Sequence, residues 1–424
     1  MTPIRWKDAA GLPSSCAAIL SALQFNQPDA EGVQRLTDDE WRAALDFCDR
    51  AQLTLVLQQR CGALLPAWVD QRVTGNIDAN NRRCARLVEE YFRIAQRLQE
   101  AGIAHIVLKG FTHVPLFVPA LKYRLQADLD LLLDSRDLDG ARQILLDLGF
   151  EAGNGQARVP MDHLPPFIRK TGWRWSGDFF DPDRPAVVEI HHRLWDEGTE
   201  LFAVEGLKTF WDRRTPLAFN GRPLPSFGLA DQFGYASLHA VRHLLRGDLK
   251  VFHVYELACF LEGQRERQNL WEDMRSNHSS SLHQVEAISA ALAQAWFGCQ
   301  LPGLIEQKIQ QLPPPIAQWL SRYAPAPVIA LFRPNKDELW LHLSLLSSWS
   351  RRFRLIRRRL APLTLPGHVE ANFVPAENLT PALRARKWVA YGRFLGSRAV
   401  FHAKATLSIL AGSAAWWRMN RNAG

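Results

Sequence analysis

The sequence lacks the cysteine pairs, repeats and long apolar runs that define several classes of protein. Its six cysteines are scattered without a CxxC pair, so neither a zinc ribbon nor a disulfide framework is expected. Its 26 Gly and 25 Pro show no repeat period, which excludes collagen-like and low-complexity chains. The apolar run at 405–417 is shorter than the ~20 residues of a spanning helix, and the run at 16–20 is too short for a signal peptide. These absences predict a soluble cytoplasmic protein, at most peripheral to a membrane.

Positive charge is concentrated at the C-terminal end. The whole chain carries a formal net charge of +8, whereas residues 351–424 contain 14 Lys and Arg and only two acids, Glu370 and Glu377. Six of these arginines fall in 351–359, where helical spacing predicts an apolar face opposite a basic face. We expect this helix to contact an acidic partner or an anionic membrane surface, with a merely solvated face as the alternative. No dedicated nucleic-acid motif accompanies the charge.

Changes in hydrophobic spacing divide the chain into four predicted regions. With 47% hydrophobic residues among 424, the chain exceeds the roughly 250–300 residues of a single core, so more than one domain is expected. The predicted domains are a helical region at 1–102, an α+β core at 103–215, a helical domain at 216–335 and a basic helical region at 336–424. The predicted fold class is therefore α+β, with a small mixed sheet flanked by helical N- and C-terminal regions.

Local signals place the individual elements. A capping box between Thr37 and Glu40 predicts a helix that starts near residue 38. Further predicted helices are 78–100, 111–117, one capped by Ser135 and ending at 148, 229–245, 251–261, 281–297, 315–323, 337–360 and 383–417. Short apolar segments at 104–108, 127–133 and 186–194 predict buried strands.

Acidic residues on two of these strands are the main candidate site. Asp128 and Asp130 alternate with leucines, so both carboxylates leave one face of their strand, about 6 to 7 Å apart. Glu189 and His191 share one face of a later strand in the same way. Carboxylates in such an arrangement suit Mg²⁺, which pairs one or two of them with substrate phosphates. We therefore predict that Asp128, Asp130 and Glu189 form one acidic cluster at an edge of the sheet.

The order of these segments resembles a known family. The matching segments are Leu108-Lys109-Gly110, Tyr123-Arg124, Asp128-Leu129-Asp130-Leu131-Leu132 and Glu189-Ile190-His191. They are similar to the motif series of the bacterial uncharacterised nucleotidyltransferase-like family, a branch of the polymerase-β-like superfamily, over about 80–360. The wider superfamily more usually has Gly-Ser in place of Lys-Gly, and Asp as the third acid.

The resemblance implies a nucleotidyltransferase that moves a nucleotide from Mg-NTP to a hydroxyl or amine of an unidentified acceptor. It implies Asp128 and Asp130 as metal ligands for a probable Mg²⁺, with Glu189 as third acid or general base. It implies Lys109, Gly110 and Arg124 as contacts to the phosphates of the nucleotide. The alternatives are a surface role for Lys109 and a structural ion pair of Arg124 with Asp128 or Asp130.

Other functions stay open from the sequence. A catalytically silent version of the fold could serve as a binding or assembly module in a biosynthetic cluster. A metallohydrolase would need His191, His239 and His243 to converge, with Glu256 as a further acid, although helix histidines are more often satisfied structurally. The segment Trp173-Arg174-Trp175 could stack on a base or simply pack.

Overall fold

Seventeen α-helices and seven strands are found in the computed structural model, which describes residues 2–153, 162–361, 373 and 380–420. The helices before the sheet are α1 (Ser14–Ala22), α2 (Ala30–Gln34), α3 (Asp38–Ala51), α4 (Thr54–Cys61) and α5 (Ala67–Glu100). The strands and the helices between them are β1 (His105–Leu108), β2 (Asp128–Leu133), α6 (Leu138–Asp147), β3 (Glu151–Ala152), β4 (Phe167–Ile168), β5 (Val187–His191), α7 (Glu197–Glu200), β6 (Thr215–Phe219) and β7 (Arg222–Ser226).

The remaining helices follow the strands. They are α8 (Leu229–Arg246), α9 (Val251–Gln264), α10 (Gln268–Asn277), α11 (Ser280–Phe297), α12 (Gly303–Gln310), α13 (Pro314–Tyr323), α14 (Ala326–Ile329), α15 (Glu338–Leu345), α16 (Trp349–Leu360) and α17 (Pro381–Asn420). None of the described helices combines the length and apolar character that crossing a bilayer requires.

The larger sheet is mixed and has the order β1-β2-β5-β4-β3. Strand β1 is antiparallel to β2, β2 is parallel to β5, and β4 is antiparallel to both of its neighbours. Strands β6 and β7 form a separate hairpin. This small mixed sheet within a mostly helical chain confirms the predicted α+β class.

The core lies on both sides of the strands that carry the acids. Alternate residues Leu129, Leu131 and Ile190 are buried against α5 and α6. The opposite face of β2 and β5 carries the polar side chains, together with Leu132, which joins the second core. The helices that precede and follow the sheet share a second core, in which Trp6 Nε1 donates to the carbonyl oxygen of Trp296 at 2.9 Å. The boundaries of the four sequence regions stay a prediction.

Several predicted elements differ from the observed ones. The capping box of α3 is present, with the backbone N–H of Thr37 donating to Glu40 at 2.9 Å, but α5 starts at Ala67, eleven residues before the predicted helix. The predicted helix 111–117 was wrong: a 3-10 helix, Gly110–His113, stands there. It is wholly buried, and Lys109 before it has φ 46°, which no α-helical turn contains.

Two further differences concern helix boundaries. The predicted cap Ser135 was wrong, since the Asp134 carboxylate accepts from the backbone N–H of Arg136 at 3.1 Å. The predicted helix 337–360 is divided into α15 and α16, because Ser348 adopts an extended backbone between them. Serine side chains compete with helical hydrogen bonds, which favours such a break.

Candidate active site

Three side chains that could ligate a metal ion meet where β2 and β5 run side by side. The parallel register makes Asp130 the direct partner of Glu189, and His191 follows on the same face of β5. One ligand atom from each of the three lies within 4.8 Å of the other two. Asp130 and His191 are buried, whereas the Glu189 side chain is 26% exposed. Asp130 and Glu189 are therefore brought together, as their strand positions predicted. The predicted place at an edge of the sheet was wrong, because β2 and β5 are inner strands that each have a neighbour on both sides.

Lys109 places a positive charge within this group. Its Nζ lies 3.2 Å from Asp130 Oδ2 and 3.8 Å from Asp128 Oδ2. The residue ends β1 with φ 46°, a left-handed backbone that is unfavourable for a non-glycine residue. The ammonium is thus a buried cation between two carboxylates and not the exposed strand-end lysine of the alternative interpretation.

Asp128 lies at the solvent-exposed margin of this group. Its side chain is 37% exposed, and it joins the group through Lys109. It is not among the three residues whose ligand atoms lie within 4.8 Å of one another. The sequence pattern therefore placed both aspartates on the same strand face, but the fold buries Asp130 and leaves Asp128 accessible to solvent.

The surroundings shift the pKa values of these groups in different directions. Burial would raise the pKa of Asp130, but the Lys109 ammonium and His191 outweigh it and hold that pKa well below its usual value. Burial and the negative charge of Asp130 raise the pKa of Glu189 to about 7. Burial would lower the pKa of His191, but the carboxylates of Asp130 and Asp162 raise it to about 9. At neutral pH His191 is consequently a cation that donates to Asp130, at 3.2 Å.

A second layer of charge lies behind His191. Its Nδ1 is 3.6 Å from Asp162 Oδ2, and Asp162 is paired with Arg242 of α8. Both residues are buried. Sequence reasoning missed them, since Asp162 lies outside every predicted strand and Arg242 is one cation within a helical pattern. Only the packing of α8 against the sheet brings the two together.

Gly110 occupies a backbone position that only glycine fits. Its φ is +62°, and a Cβ there would collide with the side-chain amide of Gln126. The helix that it begins is four residues long and buried, so its N-terminus does not resemble the exposed α-helix end that binds phosphates. The role of Gly110 in phosphate binding stays a prediction.

Arg124 has a different partner from those considered in the sequence. Its Nε donates to Glu256 Oε1 at 2.9 Å, and His113 Nδ1 lies 2.8 Å from the same oxygen. Burial would raise the pKa of Glu256, but Arg124 and His113 lower it to about 2. Glu256 therefore pairs with Arg124 and His113 and not with the histidines of α8. The phosphate contact of Arg124 stays a prediction.

His239 and His243 of α8 form a group with His253 of α9. The ring of His239 lies 4.5 Å from that of His243 and 4.6 Å from that of His253, measured between centroids. His239 Nε2 is 3.4 Å from Lys109 Nζ, and burial together with this cation lowers the pKa of His239 well below its usual value. Neither His239 nor His243 belongs to the ligand group that contains His191.

The tryptophans of 173–175 are engaged with neighbouring residues. Trp173 Nε1 donates to Asp181 at 2.8 Å, and Trp175, at 39% exposure, meets Phe179 edge-on. These contacts agree with the packing interpretation.

Comparison with known proteins identifies one matching protein family. The family described as uncharacterised nucleotidyltransferase matches residues 37–298, which is more than half of the chain. The match starts and ends earlier than the expected 80–360, and it includes Lys109, Arg124, Asp128, Asp130 and Glu189. No curated protein and no solved structure matches the chain. The chain belongs to the uncharacterised nucleotidyltransferase family.

Proposed function

We propose that this protein transfers a nucleotide from a Mg-NTP to a hydroxyl or amine group of an acceptor. The observation that carries the proposal is the pairing of Asp130 with Glu189 on adjacent parallel strands, beside Asp128 and Lys109, in a chain of a nucleotidyltransferase family. We also propose a cytoplasmic location, because all six cysteines are free.

The donor set fits a divalent cation. Within the described residues, no hydrogen-bond donor reaches the Glu189 carboxylate, whose nearest cation is His191 at 3.8 Å. Burial and the charges of Asp130 and Asp128 raise its pKa to about 7, and a bound cation would offset both by stabilising the ionised form. Asp128, Asp130 and Glu189 would hold Mg²⁺ through oxygen atoms, the ligands that this ion prefers. When bound, the ion would neutralise charge on the transferring phosphate.

The basic residues of the site would bind the triphosphate. Lys109 holds its ammonium next to Asp128 and Asp130, so it would lie near a phosphate whose Mg²⁺ these carboxylates hold. The guanidinium of Arg124 uses Nε for Glu256 and carries two further nitrogen atoms that can donate. Gly110 would add its backbone N–H.

Where Asp128 and Asp130 hold the cation without Glu189, this third acid is instead suited to accept a proton from the acceptor. A general base works best when its pKa is near the operating pH, and the pKa of Glu189 is raised to about 7. His191 would stay protonated and keep Asp130 in place. Glu189 would thus take the hydroxyl or amine proton while Asp130 remains ionised.

Calorimetric titration of the full chain with each of the four NTPs and Mg²⁺ tests this proposal. We expect heat with at least one nucleotide, and weaker binding by Asp128→Asn in a protein that unfolds at the same or a higher temperature. The matched control is Asp139→Asn, an exposed aspartate at the start of α6, which should bind like the wild type.

A catalytically silent binding or assembly module is the second candidate. It is favoured by one observation: the Lys109 ammonium already neutralises Asp130 at 3.2 Å, where a metal would otherwise be needed. No heat with any NTP, in a protein whose unfolding transition is intact, would favour this module over the transferase.

A further inference from the structure

The outward face of α17 is apolar and exposed along most of the helix. At 3.6 residues per turn, one face collects large apolar side chains that stay more than half exposed, although the Trp388 ring meets Tyr391 edge-on. They are Trp388, Val389, Val400, Leu407 and Leu410, which are between 55% and 71% exposed. The other positions of this face between 385 and 414 are alanines, glycines and Thr406, and none is charged. We call this surface the outward face.

The opposite face attaches the helix to the body of the protein. Ala405, Ile409 and Trp416 are buried, and the Trp416 ring stacks on Trp340 of α15 with centroids 5.4 Å apart. His402 Nε2 lies 3.0 Å from the carbonyl oxygen of Leu360. The helix is therefore held along one side, and its outward face points away from the protein.

The charge of α17 has one sign. Residues 381–420 contain seven Lys and Arg and no acid. Three of these cations, Arg386, Arg393 and Lys404, are exposed and follow one border of the outward face. An apolar strip with a cationic border is the pattern of helices that lie in the interface of a membrane. Tryptophan is enriched at this depth, where Trp388 would lie.

We propose that the outward face of α17 binds an anionic membrane surface, with the helix axis parallel to the bilayer. The apolar side chains enter the boundary between headgroups and acyl chains, and the bordering cations meet anionic lipid headgroups. Two copies of this face would bring cationic borders together and repel each other, so the lack of acids favours lipid over a second copy. This inference is independent of the nucleotide chemistry.

Co-sedimentation of the full chain with vesicles tests the proposal. We expect binding to vesicles of phosphatidylcholine with phosphatidylglycerol, and much weaker binding to phosphatidylcholine alone. The triple variant Val389→Gln, Val400→Gln and Leu407→Gln should lose at least tenfold in affinity, since glutamine supports a helix but does not enter the acyl boundary.

A second variant measures the contribution of the cations to vesicle binding. Replacement of Arg386, Arg393 and Lys404 by Gln should weaken binding by about fivefold per cation at low salt and flatten its salt dependence. Circular dichroism and the unfolding temperature show whether each variant keeps its fold.

The matched control places the same residue on another side of α17. Ala390→Gln, Ser397→Gln and Ser408→Gln are exposed positions outside the outward face, and this triple variant should bind vesicles like the wild type. The proposal is overturned if the wild type binds neither vesicle, or if the control loses affinity as much as the apolar variant. A wild-type dimer on size exclusion that the apolar variant converts to a monomer would assign the face to a second copy instead.

Discussion

Two buried groups of carboxylates and histidines differ in how completely their charges are paired. In the first, between α8 and α11, Arg213 donates to both oxygens of Asp231, and His278 lies 3.0 Å from Asp231 and 2.6 Å from Glu286. The second Glu286 oxygen is 2.9 Å from His283 Nδ1. Every carboxylate oxygen of this group has a partner, so we call it the paired group.

The candidate site is the contrasting group. Lys109 and His191 pair with the Asp130 carboxylate. Glu189 has no hydrogen-bond donor among the described residues, and its pKa is raised to about 7. Unpaired buried charge costs stability, and it persists where a ligand completes the pairing. The comparison indicates that the paired group stabilises the fold, whereas the candidate site leaves the Glu189 carboxylate without a donor, as the metal site proposed above would require.

The largest expected effect comes from breaking the paired group. Glu286→Ala would leave His283 without its carboxylate and His278 with Asp231 alone, and it should lower the free energy of unfolding by about 3–5 kcal/mol. Urea unfolding measures it, with the exposed Glu272→Ala of α10 as the control. A loss no greater than that of the control would mean that the paired group is not structural.

A pH dependence follows from the same group. Burial would lower the pKa of His278, but Asp231 and Glu286 raise it to about 9. Because the folded value exceeds the unfolded value of about 6.5, His278 stabilises the fold fully below pH ~6.5 and ceases to as the pH rises through ~9. We expect about 3 kcal/mol of stability to be lost over this window for His278 alone. His278→Gln should reduce the slope of stability against pH, and an unchanged slope would contradict the assignment.

Loss of a carboxylate from the candidate site should raise the free energy of unfolding, whereas loss of one from the paired group lowers it. The pKa of Glu189 is raised, so its ionisation destabilises the fold as the pH rises from ~4.5 through ~7. Glu189→Gln should therefore increase the free energy of unfolding at pH 8 by about 2 kcal/mol, with little gain at pH 4. Denaturant titrations at both pH values check this. A destabilised variant at pH 8 would show that Glu189 is already paired.

The smallest expected effect is that of added metal. Mg²⁺ at ten times its dissociation constant should stabilise the wild type by about 1.4 kcal/mol, which thermal unfolding detects as a rise in the transition temperature. Asp130→Asn should abolish this rise, and Glu272→Ala should leave it intact. An equal rise in Asp130→Asn would place the ion elsewhere.

Local patterns predicted the parts of this protein that depend on near neighbours. The capping box of Thr37 and Glu40 and the alternation of Asp128 and Asp130 with leucines were recognised because their partners lie within a few residues. The meeting of Asp130 with Glu189 was expected because each lies on the polar face of a strand whose other face is buried. Even so, the sequence alone could not distinguish the buried Asp130 from the half-exposed Asp128.

Contacts between distant segments were decided by the tertiary structure. Arg124 meets Glu256 across 132 residues, and Asp162 meets Arg242 across 80. No periodicity encodes such pairs, because each depends on how helices pack on the sheet. The sequence by itself therefore determined the α+β class and the acidic strand face. Only the packing decided which charges are paired, since desolvation and pairing depend on every group that surrounds a side chain.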